Sequence, residues 1–146
     1  MTLTARKAKR PGEKSYAHVA LAKKLGIKEG MVVAVINAPK NFSKTLGRLP
    51  RGAKLKSAKY PSAPLTLWFA RSEIELQGGI AEFAGRIGEG HLWIMNRKGK
   101  KAAVIGPTQN SVREAGLARG LVDFKVCSVD ETWSALLFSR RKTKAA

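Results

Sequence analysis

The sequence predicts an α/β domain arranged as a three-layer sandwich, with a mostly parallel sheet that ends in an antiparallel hairpin. Apolar runs of strand length recur at residues 31–38, 65–70 and 91–95, and segments with helical spacing separate them. The joins between these elements are short, which implies right-handed crossovers and therefore parallel strands.

The first part of the chain holds a polar leader, a short helix and the first strand. Residues 1–14 are polar and basic, and residues 17–25 have the spacing of a short helix that Gly26 ends. The strand at 31–38 follows. Residues 39–64 are rich in proline and glycine and predict loops, with a short edge strand near 54–60, where lysines alternate with apolar or small residues.

A capping box predicts the start of the next helix at Ser72. The Ser72 hydroxyl should accept from the third helical N–H, and Glu75 should reach back to the cap. Apolar residues then recur at helical intervals up to Ile87, although Gly78 and Gly79 cost on the order of 1 kcal/mol each relative to alanine.

The last part predicts a basic loop, a helix and a hairpin. Residues 96–101 form the loop, residues 110–119 the helix that Gly120 closes, and residues 122–129 and 133–140 the two strands of the hairpin. The complete pattern is typical of a small Rossmann-like fold. We expect one domain over residues 15–142, flanked by the leader and by a tail at residues 143–146.

Composition bounds the setting. The chain has 146 residues and a single cysteine, so an internal disulfide is excluded and a reducing compartment fits. No apolar run approaches the roughly 20 residues that span a bilayer, and we expect a cytoplasmic protein. His18 and His91 lie on different predicted elements, so we expect no metal site. Cys127 and Trp133 have the pattern of core residues.

The charge is extreme. Lysine and arginine number 28 against 10 acidic residues, giving +18, and residues 30–72 contain no acid at all. Such an excess favours an anionic partner. The main functional hypothesis is therefore a non-enzymatic module that binds a polyanion, above all nucleic acid without sequence preference, through phosphate contacts. The candidate anion-binding residues are Lys40, Lys44, Arg48, Arg51, Arg97, Lys98, Lys100 and Lys101.

Four loops should also share one edge of the sheet. In open α/β sheets ligands collect at the carboxyl ends of the strands. The loops that begin at Asn37, Arg71, Asn96 and Asp130 leave such ends, and these residues form a candidate rim for a small ligand. Asp130 and the adjacent Glu131 also have the pattern of ordinary turn residues.

Two blocks of sequence resemble a known family. They are residues 21–31, LAKKLGIKEGM, and residues 112–134, VREAGLARGLVDFKVCSVDETWS. With the Asn37-Ala-Pro39 segment they are similar to an uncharacterised bacterial domain-of-unknown-function family of small Rossmann-like proteins, over about residues 15–142. That family is distantly similar to the methyltransferase branch of the fold. This chain departs from it in its basicity and in residues 96–101, where a tryptophan and a proline would precede the lysines.

The resemblance supplies a second hypothesis, a degenerate methyltransferase-like or nucleotide-binding domain for a small anionic ligand. Methyltransferases use a glycine-rich turn after the first strand and an acidic residue after the second. Here Pro39, Lys40 and Asn41 replace the turn, and Lys54, Lys56 and Lys59 occupy the second region. We therefore expect no bound cofactor. A third hypothesis is a protein-interaction subunit whose charge matches an acidic protein partner.

Overall fold

The computed structural model describes residues 21–62 and 64–142. The predicted leader and the tail at 143–146 lie outside this part of the chain. Residues 21–24 are helical. The elements that follow are β1 Val32–Ile36, α1 Phe42–Leu46, β2 Lys54–Ser57, β3 Leu65–Phe69, α2 Glu73–Arg86, β4 His91–Arg97, α3 Gly99–Val104, α4 Gln109–Ala118, β5 Leu121–Ser128 and β6 Trp133–Arg140.

One six-stranded sheet forms the middle layer. Its strand order is β2-β1-β3-β4-β6-β5, with parallel pairing from β2 to β4 and antiparallel pairing of β6 with both β4 and β5. The predicted α/β fold with a terminal hairpin is confirmed. The registers align Ile36, Trp68 and Ile94 across β1, β3 and β4, so these strands end at one edge of the sheet. We call it the carboxyl edge.

Apolar side chains cover both faces of the sheet. β3 is buried along its whole length, as a continuous apolar run predicts for a central parallel strand. On one face Phe69 and Trp93 pack with residues 21–27 and α1, and on the other Trp68 and Phe138 pack with α2 and α4. Alternate residues of a strand therefore belong to different clusters, which places Asn96 and Arg97 on opposite faces.

Two local predictions need correction. Only one of the two hydrogen bonds of the predicted capping box at α2 forms. The Ser72 hydroxyl accepts from the Glu75 N–H at 3.1 Å, but the Glu75 carboxylate accepts from the backbone N–H of Arg71 at 2.9 Å and not from that of Ser72. The prediction of a basic loop at residues 96–101 is also wrong. β4 continues through Arg97 because β6 pairs Asn96 with Ser134 and Arg97 with Trp133, and α3 begins at Gly99.

Within residues 21–62 and 64–142, no helix has the length and apolar character needed to cross a membrane.

Candidate functional site

The four predicted rim residues lie at the carboxyl edge but belong to separate clusters. Asn37 follows β1, Arg71 follows Ala70 after β3, Asn96 lies near the end of β4, and Asp130 lies in the turn between β5 and β6. Hydrogen bonds connect Asn37 and Arg71 through a common partner, Glu75, whereas Asn96 and Asp130 make other contacts.

Glu75 is the centre of a polar network that joins β1, β3 and α2. Its carboxylate accepts from the Arg71 guanidinium at 3.0 and 2.8 Å, from the Arg71 backbone N–H, and from the Asn37 amide at 3.4 Å. We call Asn37, Arg71 and Glu75 the Glu75 network. Asn37 has φ +59°, the left-handed conformation that asparagine tolerates better than most residues. The network therefore holds the turn after β1 against the start of α2.

The electrostatics of this network favour the charged forms of both partners. Partial burial acts to raise the pKa of Glu75, but the hydrogen bonds and charge of Arg71 outweigh it and hold that pKa below its ordinary value. The hydrogen bond from the same pair raises the pKa of Arg71. Because its ionised form is satisfied, Glu75 is a poor candidate for a proton-transferring group.

A cleft of about 500 Å³ opens beside this network, between the carboxyl ends of β1 and β2. We call it the β1–β2 cleft. Its polar lining comes from Asn37, Lys40, Ser43, Ser57 and Lys59, and none of the described residues that line it is acidic. Phe42 forms part of its floor and packs edge-on against Phe69, with ring centroids 4.9 Å apart. The turn at Pro39 lines this space and does not fill it.

A second cleft, of about 420 Å³, lies at the end of β4 beside the start of α4. We call it the β4–α4 cleft. Asn96, which is only 2% exposed, lines it together with Lys98, Thr108 and Gln109. The Asn96 Nδ2 donates to the Arg97 carbonyl at 3.1 Å, while its Oδ1 has no hydrogen-bond partner among the described residues. An unsatisfied buried acceptor typically costs about 1–3 kcal/mol, so this atom needs a donor.

Asp130 has a structural role in the hairpin turn. Its Oδ1 accepts from the N–H groups of Thr132 and Trp133, both at 2.8 Å. The pattern is an Asx-type turn, in which the side chain replaces a backbone acceptor. Trp133 is buried against Phe69, and the Arg97 guanidinium lies over its ring at 4.8 Å.

The predicted anion-binding residues do not form one surface. Lys40 lies at the carboxyl end of β1, whereas the Arg51 carbonyl accepts from the Gly30 N–H just before β1 begins. Arg48 and Arg51 line a depression of about 610 Å³ on that side. Lys44 lies in the last turn of α1, and Lys98 donates to the Ser128 hydroxyl. Lys100 is exposed at the start of α3; Lys101 follows it, and its side chain lies outside the described part of the structure.

Other cations serve the fold itself. Arg113 pairs with Asp123 at 2.9 Å, and the Arg140 guanidinium donates to the carbonyls of Ala84 and Gly85 at the end of α2. A cation at a helix carboxyl end stabilises the helix dipole. Some of the basic side chains that give the chain its +18 charge therefore make contacts within the fold.

A depression of about 870 Å³ lies at the opposite edge of the sheet and is lined in part by His91 and Phe124. Phe124 lies at a bulge in β5 and is 56% exposed. This region is far from the carboxyl ends where α/β sheets bind ligands, so we place the candidate site at the two smaller clefts.

Cys127 lies in the core, as its pattern predicts. It is 5% exposed, and burial raises the pKa of its thiol despite the nearby Lys24, Lys125 and Lys98. A buried thiol of this kind is inert towards nucleophilic chemistry.

Several residues of the Glu75 network and of the β4–α4 cleft were not predicted. Glu75 has the pattern of a simple helix cap, and its contact with Asn37 spans 38 positions, which local patterns cannot show. Thr108 and Gln109 carry only the signal of a helix start. The burial of Asn96 does have a weak signal, since it continues the apolar run of β4 directly.

Comparison with known proteins supports the fold. No family model and no curated protein matches the chain. Among solved structures it is similar to a putative type 11 methyltransferase from Sulfolobus solfataricus, with TM-score 0.53 and 14% identity over 92% of this chain and 95% of that one. It is also similar to the pyocyanin biosynthetic protein PhzM, with TM-score 0.53 and 9% identity over 92% of this chain and 59% of that one. A SAM-dependent methyltransferase from Aquifex aeolicus matches with TM-score 0.49 and 13% identity, over 94% and 98%.

These similarities correct the main functional prediction. The non-enzymatic polyanion-binding module and its nucleic-acid partner are wrong, because the solved structures that share this fold with TM-scores above 0.5 include a methyltransferase-like protein and favour the alternative of a small-molecule ligand. The distribution of the basic residues gives the physical reason, since Lys40 lies at one end of β1 and Arg48 and Arg51 lie at the other, so these cations do not make one continuous track for a polymer. The similarity to the methyltransferase fold itself is confirmed.

Proposed function

We propose that this protein is a small-molecule-binding domain on a methyltransferase-like fold, and that its ligand is a small anion of the nucleotide class held in the β1–β2 cleft. The observation that carries the proposal is the lining of this cleft, where the described residues include Lys40 and Lys59 and no acid. Lysine ammonium groups bind phosphates as point charges. A cleft of about 500 Å³ also falls within the ordinary range of small-molecule sites.

Four polar residues of the cleft have a proposed role. The exposed Lys40 and Lys59 approach from the loops after β1 and β2 and contact the anion. Ser57 offers a hydroxyl to the polar part of the ligand. Asn37 is held in place by Glu75, and Arg71 positions Glu75, so Arg71 acts on the ligand only through this network.

The residues present do not fit S-adenosylmethionine. That cofactor carries a sulfonium and an ammonium against one carboxylate, so its net charge is positive, and the cleft presents two lysines to it. The neighbouring carboxylate, Glu75, is already bound by Arg71 and Asn37. We therefore derive no methyl-transfer step for this chain. The similarity to a methyltransferase supports a small-molecule site at this edge of the sheet without identifying its occupant.

Two parts of the sequence prediction stay proposals. Membership of the uncharacterised bacterial family rests on the blocks at residues 21–31 and 112–134. Of the four rim residues, we assign Asn37 to the ligand and Arg71 to positioning, Asp130 to the hairpin turn, and Asn96 to the second cleft.

The test is a thermal-shift panel with adenosine, AMP, ADP and S-adenosylmethionine. We expect AMP and ADP to raise the melting temperature and adenosine to have little effect, because the phosphate supplies most of the affinity. The double variant Lys40→Gln with Lys59→Gln should abolish the shift. Lys54→Gln with Lys56→Gln is the matched control, since it removes the same charge from β2 without touching the cleft.

Equal losses in the two double variants would mean that net charge, and not this cleft, attracts the nucleotide. A shift with S-adenosylmethionine alone would replace the anion proposal with the cofactor of the methyltransferases.

A further inference from the structure

The β4–α4 cleft is independent of the Glu75 network and has its own unsatisfied chemistry. Asn96 is only 2% exposed and is one of the residues that line the cleft. The bond from its Nδ2 to the Arg97 carbonyl fixes which atom of the amide is the oxygen. The Oδ1 is thus an acceptor whose donor must come from outside the described residues.

The opposite wall of the cleft presents donors and positive charge. α4 has 10 residues, and its N-cap Thr108 exchanges hydrogen bonds with Ser111 in a capping box, each at 3.1 Å. The box leaves the N–H groups of Gln109 and Asn110 outside it, at the positive end of the helix dipole. The first turn of α4 has no acidic residue of its own, and Lys98, whose ammonium also donates to the Ser128 hydroxyl, is another of the lining residues.

One carboxylate is already near this helix. Glu73 accepts from the Ser111 hydroxyl at 2.8 Å, on the side facing α2. Gln109 and Lys98 line the cleft and contact no carboxylate among the described residues.

We infer that the β4–α4 cleft binds a small carboxylate with a hydrogen-bond donor on the adjacent carbon, as in an α-hydroxy or α-amino acid. The carboxylate contacts the first N–H groups of α4 and the Lys98 ammonium, and the O–H or N–H donates to Asn96 Oδ1. One such ligand provides both a donor for the buried Asn96 oxygen and an acceptor for the N–H groups at the start of α4. A simple anion lacks the donor, and a neutral alcohol lacks the negative charge. The inference does not depend on the proposed function of the β1–β2 cleft.

The experiment is an NMR titration with lactate and propionate, which carry the same carboxylate and differ in the hydroxyl. We expect lactate to shift the amide resonances of Gly99, Gln109 and Asn110, and to bind about tenfold more tightly than propionate, a difference of about 1.4 kcal/mol. In Asn96→Leu the two probes should bind alike, because the acceptor is gone and the size is kept. The dispersion of the remaining resonances shows whether that variant is folded.

A second pair of variants keeps the inference testable if Asn96→Leu does not fold. Lys98→Gln should weaken both probes equally, and Lys100→Gln, which removes an exposed charge outside the cleft, should change neither. Equal binding of lactate and propionate to the unmodified protein would overturn the inference. So would the absence of shifts at the start of α4, which would mean that water alone satisfies Asn96.

Discussion

Helices α2 and α4 lie on the same face of the sheet and begin at the same edge, but their first turns are satisfied in different ways. α2 begins with Glu73 and Glu75 and draws Arg71 and Asn37 into a complete network. α4 begins without an acid, beside a buried asparagine whose oxygen has no partner among the described residues. The Glu73–Ser111 hydrogen bond joins the two ends at 2.8 Å.

The difference separates structural polar groups from candidate binding groups. Where the chain supplies its own charges, as at Glu75, both carboxylate oxygens accept internal hydrogen bonds, and the group stabilises the fold. Where it does not, as at Asn96, the cost of burial remains until a ligand or water offsets it. At this edge of the sheet, the buried group without a partner therefore marks the candidate binding site, and the charged pair stabilises the fold.

The two helices also differ in how closely they approach the sheet, and Gly116→Ala tests this with the largest expected effect. A Cβ at Gly116 would lie 2.3 Å from Cε1 of Phe138, a fully buried ring that cannot move aside. We expect the free energy of unfolding to fall by about 2–3 kcal/mol, measured by urea denaturation. An unchanged midpoint would mean that α4 is not pressed against β6 as described.

Glu75→Ala tests the network at the start of α2. We expect a loss of about 1–1.5 kcal/mol, because several hydrogen bonds to a charged group disappear but solvent screens the exposed Arg71. Glu82→Ala is the control, since Glu82 forms an i,i+4 pair with Arg86 on the same helix with both partners about half exposed. That loss should be close to zero, and equal losses would show that the Glu75 network is only a surface pair.

The pH dependence of the same residue has a definite sign. The pKa of Glu75 lies below its ordinary value of 4.5, so its contribution is complete above that value and is lost as the pH falls through the lower folded-state value. The acid side of a stability profile should therefore be less steep in Glu75→Gln than in the unmodified protein.

The sequence predicts the fold well because the fold depends on local pattern. The buried run of β3 and the stop at Gly120 are visible in a few residues, whereas the short helices α1 and α3 lie in segments that the sequence predicts as loops. The site is different because its features depend on tertiary pairing. β4 extends through Arg97 because β6 lies beside it, which turns a basic loop into a buried asparagine and a cation stacked on Trp133.

The charge was misleading for a related reason. A count of lysines and arginines does not show which of them meet a carbonyl or a carboxylate, as Arg140 and Arg113 do. The tertiary structure shows which basic residues make structural contacts and which line the two clefts.

The smallest expected change in the free energy of unfolding is that of Gly78→Ala in α2, and its sign is opposite to that of Gly116→Ala. Gly78 is in the interior of α2, is exposed, and has no neighbour within 4 Å of an added Cβ among the described residues. Alanine should therefore raise the free energy of unfolding by about 0.5–1 kcal/mol, because it restricts the unfolded chain and favours the helix. The contrast with Gly116→Ala then isolates packing from helix propensity, since the same substitution is made in both helices. A loss of stability in Gly78→Ala would show that this face of α2 is covered in solution.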